Sequence, residues 1–236
     1  MLLLRSLLFY TGLSLATLIF TPLGLLLYPL PLDLRFRIMK QWSVFNLWWL
    51  KVCCGITHEI QGRENIIEGP AIIMCKHQSA WETLALQLVF PPQVWVLKRE
   101  LLWIPIYGWG LASMQPIAID RSSNVKAFRQ IVEQGRQRLE DGLWIVLFPE
   151  GTRVRAGEKG SYQPGGGLLA EKTGYPVVPV AHNSGYLWPR NRLIKYPGKI
   201  TMKIGPAIAT KGKKAKQITK ETEAWIEANL PGPAAV

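Results

Sequence analysis

The pattern of hydrophobic and polar positions changes character twice along the chain. No charged residue occurs from Ser6 to Leu32. A bilayer-spanning helix needs about 20 predominantly apolar residues, so this run predicts a helix long enough to cross a membrane. A cleaved signal peptide would have a shorter apolar region and a small-x-small cleavage site, and no such site precedes Pro29-Leu30-Pro31. In the next stretch Trp42, Phe45, Trp49 and Val52 fall near one helical face, with Lys40, Ser43 and Lys51 near the opposite one. That spacing predicts a helix lying in the membrane interface and hairpinned with the first; a core helix of the soluble part is the alternative.

From about Gly55 onward short apolar runs alternate with helical patterns. Strands are predicted at 71–75, 94–97, 117–119, 143–148, 176–181 and 200–204, and the run Leu143-Trp-Ile-Val-Leu-Phe148 reads as fully buried. Helices are predicted at 81–89, 124–140 and near 168–172, and a last one ends near Leu230. This alternation predicts an α/β fold, a central mixed sheet flanked by helices, with its chemistry in loops at the strand ends. The expected organisation is a membrane-anchoring helical segment over 1–54 and a cytoplasmic α/β domain over 55–236.

Composition narrows the partner. The 236 residues carry 28 Lys and Arg against 16 Asp and Glu, a formal charge of +12. An excess of this size points to an anionic partner, either nucleic acid or anionic lipid. Ten Trp residues beside the apolar N-terminus favour lipid, because Trp prefers membrane interfaces. No nucleic-acid partner is expected. The three cysteines, Cys53, Cys54 and Cys75, form no disulfide framework and no cluster with zinc spacing. They fit a reducing cytoplasmic compartment. Arg5 stands alone before the apolar run, whereas Arg35, Arg37, Lys40 and Lys51 follow it, so the positive-inside bias also places the bulk of the chain in the cytoplasm.

The candidate chemistry lies just after predicted strands. Lys76-His77-Gln78-Ser79-Ala80-Trp81-Glu82 offers an imidazole that can take a proton near neutral pH, with a carboxylate to hold its tautomer. Five residues of regular helix turn about 140° away from the starting face, so the two meet only if His77 precedes the helix. Ser79-x-x-Glu82 also reads as a capping box, which gives Glu82 a purely structural alternative. Phe148-Pro-Glu-Gly-Thr-Arg153 closes the most apolar strand. Gly151 there permits a tight turn, Arg153 can grip a phosphate with paired hydrogen bonds, and Glu150 can orient Arg153 or the loop. Lys98-Arg99-Glu100 and Asp120-Arg121 follow two further strands, so three basic clusters are expected to converge on one anionic pocket.

Other motifs are excluded. Gly165-Gly-Gly-Leu-Leu-Ala170 matches a dinucleotide fingerprint in letters only, because the polar residues 155–163 before it do not form a strand. Neither a phosphate-loop motif nor a G-x-S-x-G nucleophile elbow occurs, which argues against a lipid-hydrolysing serine enzyme. The lysine-rich stretch 211–220 reads as a solvated helix entry with some capacity for anionic lipid.

Taken in order, the blocks 77–82, 98–121 (with Pro105 and Gly108), 148–153 and 177–182 resemble the glycerolipid acyltransferase family, in its 1-acylglycerol-3-phosphate acyltransferase branch. The resemblance runs from about residue 62 to 205. It implies a membrane-bound enzyme of phospholipid biosynthesis. A fatty acyl chain would pass from acyl-CoA or acyl carrier protein to the sn-2 hydroxyl of 1-acylglycerol 3-phosphate (lysophosphatidate), giving phosphatidic acid. His77 would be the general base assisted by Glu82. Lys98, Arg121 and Arg153 would bind the acceptor phosphate. Glu150, Gly151 and Thr152 would form the site loop, with backbone N–H groups near Gly151 or Thr152 facing the oxyanion. Acyl-CoA or acyl carrier protein is a co-substrate, and neither a cofactor nor a metal is implied. Glu82 stands where the family has Asp, a departure that leaves open a different lysophospholipid acceptor. A basic, non-catalytic membrane-binding protein is the remaining alternative.

Overall fold

The structure is a computed structural model that describes residues 1–233. It opens with α1 (Leu2–Leu26) and α2 (Leu32–Cys54), packed side by side as a hairpin. The buried stripe of α1 is Ser6, Phe9, Gly12, Ala16, Thr21 and Gly24. Mostly small residues of this kind let two helices approach closely in an apolar medium. Trp42 Nε1 donates to Thr17 Oγ1 at 3.3 Å and Trp49 Nε1 to the Leu8 carbonyl at 3.2 Å, tying the pair together.

The face expected on α2 is corrected by the structure. Ser43, assigned by pattern to the polar side, is buried with Asn46, Leu47 and Leu50, whereas Phe45, Trp48 and Val52 are exposed. Hydrophobicity alone does not tell inside from outside when the outside is also apolar. The inward seam takes small and polar residues, and Asn46 Nδ2 donates to the Trp42 carbonyl one turn back at 2.7 Å. The outward side of α1 is likewise apolar, and α1 is long and apolar enough to cross a membrane.

The remainder is one mixed sheet between two helical layers. Its strands are β1 (Ile56–Gln61), β2 (Ile72–Cys75), β3 (Gln93–Lys98), β4 (Ile117–Ile119), β5 (Trp144–Leu147), β6 (Val177–His182) and β7 (Gly198–Ile204), in the order β1-β7-β6-β2-β5-β3-β4. Only the β6–β7 pair is antiparallel. Strand side chains alternate between two cores. Ile73, Cys75, Val146, Val178 and Val180 face the side of α3 (Trp81–Val89) and α2. Ile72, Met74, Ile145, Leu147 and Val177 face α5 (Asn124–Glu140), α6 (Gly165–Thr173) and α8 (Ala215–Ala228). Both faces are covered, which is why the central strands read as continuous apolar runs. The pattern missed β1 and two short helices, α4 (Tyr107–Ser113) and α7 (Ser184–Leu187).

The helical hairpin is not free of the sheet. Ser6 Oγ accepts the Lys195 N–H at 2.8 Å, and Lys195 Nζ reaches the Tyr10 hydroxyl at 2.6 Å while lying over the Tyr10 and Trp188 rings. Lys195 is almost wholly buried, and burial lowers its ammonium to about 8.

On the opposite layer α6 meets α8 through Gly167. A Cβ there would lie 2.4 Å from the Ala215 carbonyl oxygen and 2.4 Å from Thr219 Oγ1. Overpacking of this kind costs about 1–3 kcal/mol, so Gly167→Ala is expected to lower the thermal midpoint by roughly 2–12 °C, read by circular dichroism in detergent.

Candidate active site

Strands β2, β3, β4 and β5 run parallel, so their carboxyl ends share one edge of the sheet. Each carries a block singled out from the sequence. His77 follows β2, Lys98 ends β3, Arg121 follows β4 and the 148–153 turn follows β5. All of these converge on one cavity of about 1280 Å³, whose lining includes His77, Lys98, Arg121, Arg153 and the Glu150-Gly151-Thr152 turn. Towards the hairpin the same cavity is lined by Leu13, Thr17, Leu18 and Trp42, and towards α5 by Phe128 and Ile131.

His77 sits in the loop before α3, the one placement from which it can reach Glu82. Its Nδ1 lies 2.8 Å from Glu82 Oε1. With a carboxylate on Nδ1 the ring carries its proton there, and Nε2 is left with its lone pair. The Phe148 ring stacks on the imidazole at 3.8 Å and 11°, fixing its plane. The His77 backbone is held at both ends: its N–H donates to Glu150 Oε2 at 2.9 Å, and its carbonyl accepts Val154 N–H at 2.7 Å.

Glu82 is completely buried and is both a cap and a partner for His77. Oε1 accepts the N–H groups of Gln78 and Ser79, each at 2.9 Å, besides His77. Oε2 accepts Ser79 Oγ at 2.5 Å and Ser184 Oγ at 3.1 Å. Burial raises the carboxyl, but His182 and the donors from His77 and Ser79 outweigh it and hold it well below the usual carboxylate range. His182 is itself pushed down by burial, so at neutral pH the hydrogen bonds do most of this holding.

The turn after β5 owes its shape to Gly151, at φ +67°, where a side chain would be strained. Gly151 N–H closes the turn onto the Phe148 carbonyl at 3.0 Å, so of the two expected oxyanion donors Gly151 is already engaged. Two guanidinium groups grip the same turn from outside. Arg121 Nη1 donates to the Gly151 carbonyl at 2.6 Å, and Arg190 Nη1 donates to the Arg153 carbonyl. Lys98 lies 3.5 Å from Glu100, and Arg99 pairs with Asp120 at 3.4 Å.

Glu150 does not orient Arg153, one of its two expected roles. Its Oε1 lies 2.7 Å from Lys76 Nζ, and both side chains are fully buried. Lys76 Nζ also donates to Glu227 Oε1 of α8 at 2.8 Å and to the Glu158 carbonyl at 3.2 Å, and Tyr162 donates to the same Glu227 oxygen at 2.8 Å. Lys76 lies in the 76–82 motif, but its partners Glu150 and Glu227 are distant in sequence, and Glu227 carries no local signal because only the packing of α8 brings it here. Arg190 was missed for the same reason. His182 and Ser184, at the end of β6, form the other unanticipated group. His182 Nε2–H donates to the Lys76 carbonyl at 2.8 Å, and its Nδ1 accepts Ser184 N–H at 3.3 Å, which defines a neutral ring.

Because His182 is held below its ordinary value, the folded chain binds fewer protons there than the unfolded chain. The resulting stability is complete above the unfolded value of about 6.5 and is lost as pH falls toward the folded one. The drop in melting temperature between pH 7 and pH 5 is therefore expected to be smaller in His182→Gln than in the parent protein. Equal drops would mean that His182 titrates alike in both states.

Residues 57–183 match the Acyltransferase protein-family model. The chain is 42% identical over 231 residues to a 1-acyl-sn-glycerol-3-phosphate acyltransferase of Pseudomonas aeruginosa, covering 96% of this chain and 90% of that protein. It is 29% identical over 170 residues to a putative 1-acyl-sn-glycerol-3-phosphate acyltransferase of Caenorhabditis elegans, covering 70% of this chain and 60% of that one. The fold superposes on the crystal structure of the 1-acyl-sn-glycerophosphate acyltransferase of Thermotoga maritima with a TM-score of 0.80 at 24% identity, covering 96% of this chain and 93% of that one. The chain thus belongs to the acyltransferase family, alongside the 1-acyl-sn-glycerol-3-phosphate acyltransferases.

Proposed function

We propose that this protein moves a fatty acyl chain from acyl-CoA or acyl carrier protein to the sn-2 hydroxyl of 1-acylglycerol 3-phosphate, giving phosphatidic acid. The observation that carries the reading is the His77–Glu82 pair opening onto the same cavity as Lys98, Arg121 and Arg153. The name of the Pseudomonas relative supports the acceptor.

In this mechanism Nε2 of His77 takes the proton of the acceptor hydroxyl as its oxygen attacks the thioester carbonyl. Glu82 stabilises the imidazolium that forms. The tetrahedral intermediate collapses, the thiolate leaves, and the proton passes from His77 to the departing sulfur. Lys98, Arg121 and Arg153 hold the acceptor phosphate, and Thr152 N–H is assigned to the oxyanion because Gly151 N–H closes the turn. A thioester is already activated, so this route uses no metal ion and no cofactor.

The same reading assigns residues 1–54 to membrane anchoring and 55–236 to catalysis. The hairpin's outward apolar surface supports lipid as its surroundings, and its docking on the sheet through Lys195 and Ser6 supports a helix pair seated in the bilayer against the catalytic part. The basic residues Arg35, Arg37, Lys40 and Lys51 favour a catalytic part facing the cytoplasm.

His77→Ala is expected to lose about 10²–10⁴-fold in rate, the usual contribution of a general base. Glu82→Gln keeps the fold, because its amide oxygen can take the three donors on Oε1 while its NH₂ faces two rotatable serine hydroxyls. It loses the charge behind the imidazolium and with it most of the rate. A fully active Glu82→Gln enzyme would reduce the residue to a cap.

Arg153→Ala is expected to raise the KM for lysophosphatidate by about 10–100-fold, since a charged hydrogen bond contributes about 1.5–3 kcal/mol. An effect confined to the acyl donor would contradict its assignment to the acceptor phosphate. Purified enzyme with labelled acyl-CoA and, in parallel, labelled acyl carrier protein, each against a panel of lysophospholipids, tests the whole reading. Turnover of lysophosphatidate above acceptors lacking a phosphomonoester supports it, and free fatty acid as the only product, or no turnover, sinks it.

A further inference from the structure

The segment between β3 and β4 carries a group of large apolar side chains that no part of the fold covers. It consists of the 3-10 turn Arg99–Trp103, a bend, and α4. Trp103 is 65% exposed, Ile104 44%, Ile106 38%, Tyr107 41% and Trp109 52%. The bend is tight: Ile106 has φ 67° and ψ −66°, and Tyr107 N–H donates to the Pro105 carbonyl at 2.7 Å. That is a γ-turn of the rare, strained kind. Cations border the patch. Lys98 and Arg99 precede it, and the Arg99 guanidinium lies 5.7 Å from the Trp103 ring centre.

The position of the segment says what covers it. Helix α4 packs against α1, and the buried Arg35 of α2 donates to the Ser113 carbonyl at 2.5 Å, so the segment is fixed to the helical hairpin. Beside it the hairpin exposes Leu18, Ile19, Leu25, Leu26 and Tyr28. The two apolar surfaces are joined, and whatever solvates the hairpin's outer side also meets Trp103 and Trp109. A second copy of the chain docked on the patch would have to compete with lipid for the same continuous surface. Amphipathic Trp and Tyr rings with neighbouring cations suit the headgroup level of an anionic leaflet.

We propose that residues 99–113 form a second membrane-inserted element, seated in the same leaflet as α1 and α2, and that the gap between it and α1 is the portal through which a lipid acceptor enters sideways. The cavity lies between the two elements. Leu13, Thr17 and Leu18 of α1 line one side, and Pro105, Ile106 and Tyr107 line the other. An acceptor entering there keeps its acyl chain in the bilayer while its headgroup meets Lys98 and Arg121. The portal rests on the acyl-transfer reading; the insertion does not.

The test uses the full chain in vesicles of phosphatidylethanolamine and phosphatidylglycerol. Trp103→Cys and Trp109→Cys carry an environment-sensitive nitrobenzoxadiazole label, with Glu140→Cys, exposed at the end of α5 on the sheet edge opposite the site, as a distant control; the native cysteines are buried. The labels at 103 and 109 are expected to shift to the blue and to be quenched by nitroxide-bearing lipids, while the label at 140 is not. In parallel, the double variant Trp103→Ser/Trp109→Ser, whose side chains lie outside the cavity lining, is assayed in two ways. With lysophosphatidate presented in vesicles its kcat/KM falls by about tenfold or more through KM, and with a monomeric short-chain acceptor it stays within about twofold.

Labels at 103 and 109 that remain in water overturn the proposal. So does a blue shift that follows protein concentration without lipid quenching, which would mean that a second copy covers the patch. Equal losses on both acceptors would refute the portal. Quenched labels with no diacyl product from the parent protein on either acceptor would leave the insertion standing and refute the acyl-transfer reading.

Discussion

The site depends on a carboxylate that solvent does not reach. Glu82 receives five donors from four residues, and these come from two separate places in the chain, the loop after β2 and the start of α7. A buried charge is tolerated only when its hydrogen bonds are satisfied, so each donor is needed twice, once for stability and once for orientation. Because Oε1 is shared among Gln78, Ser79 and His77, the cap that starts α3 and the bond that fixes the imidazole tautomer are a single structure. Glu in place of Asp has no visible penalty here, since the longer side chain reaches from the first turn of α3 back to a ring that precedes the helix.

A second buried group sets the distance of His77 from the 148–153 turn. Lys76 and Glu150 are both inaccessible, and besides each other they contact further anchors: Glu227 and the Glu158 carbonyl for Lys76, the His77 N–H for Glu150. The result joins the strand that leads to His77, the turn that carries Arg153, and α8. Losing one member of a buried ion pair typically costs about 3–5 kcal/mol because the other charge is stranded. Lys76 and Glu150 therefore couple the packing of α8 to the geometry of a site built from residues 77–153. Arg121 and Arg190, bonded to carbonyls of the same turn, add grip from the solvent side without burial.

Much of this arrangement was legible in the residues. The α/β alternation, the strand-end placement of each block and the meeting of His77 with Glu82 follow from apolar periodicity and from one argument about helical angle. The failures have physical causes. Helices α4 and α7 hold too few residues for a period to show, and β1, an edge strand, carries Thr57, His58, Glu59 and Gln61, so no apolar run marks it. On α2 the pattern placed Ser43 with Lys40 and Lys51 opposite the apolar face, whereas it is buried in the inward seam, because a close helix contact selects small residues rather than apolar ones. Lys76, Glu227, Arg190 and Ser184 act through partners between 30 and 160 positions away, and local sequence carries no trace of such pairings. Glu150 shows the limit within a motif: its place in the turn was evident, but its partner was Lys76 rather than the neighbouring Arg153.

The placement of the helical hairpin follows from the chemistry required of the cavity. A site that handles a charged headgroup and a long apolar chain together must present cations and an oily wall within one molecule's length. The sheet edge supplies the first through loops at strand ends, where charged side chains can remain partly hydrated. It cannot supply the second, because both sheet faces are already covered by their own helices. The apolar wall is therefore contributed from outside the sheet, by Leu13, Thr17, Leu18 and Trp42 of the hairpin. The Lys195–Tyr10 and Ser6 contacts set the hairpin's height against the sheet. That height decides how deep the His77 ring lies relative to any leaflet the hairpin occupies.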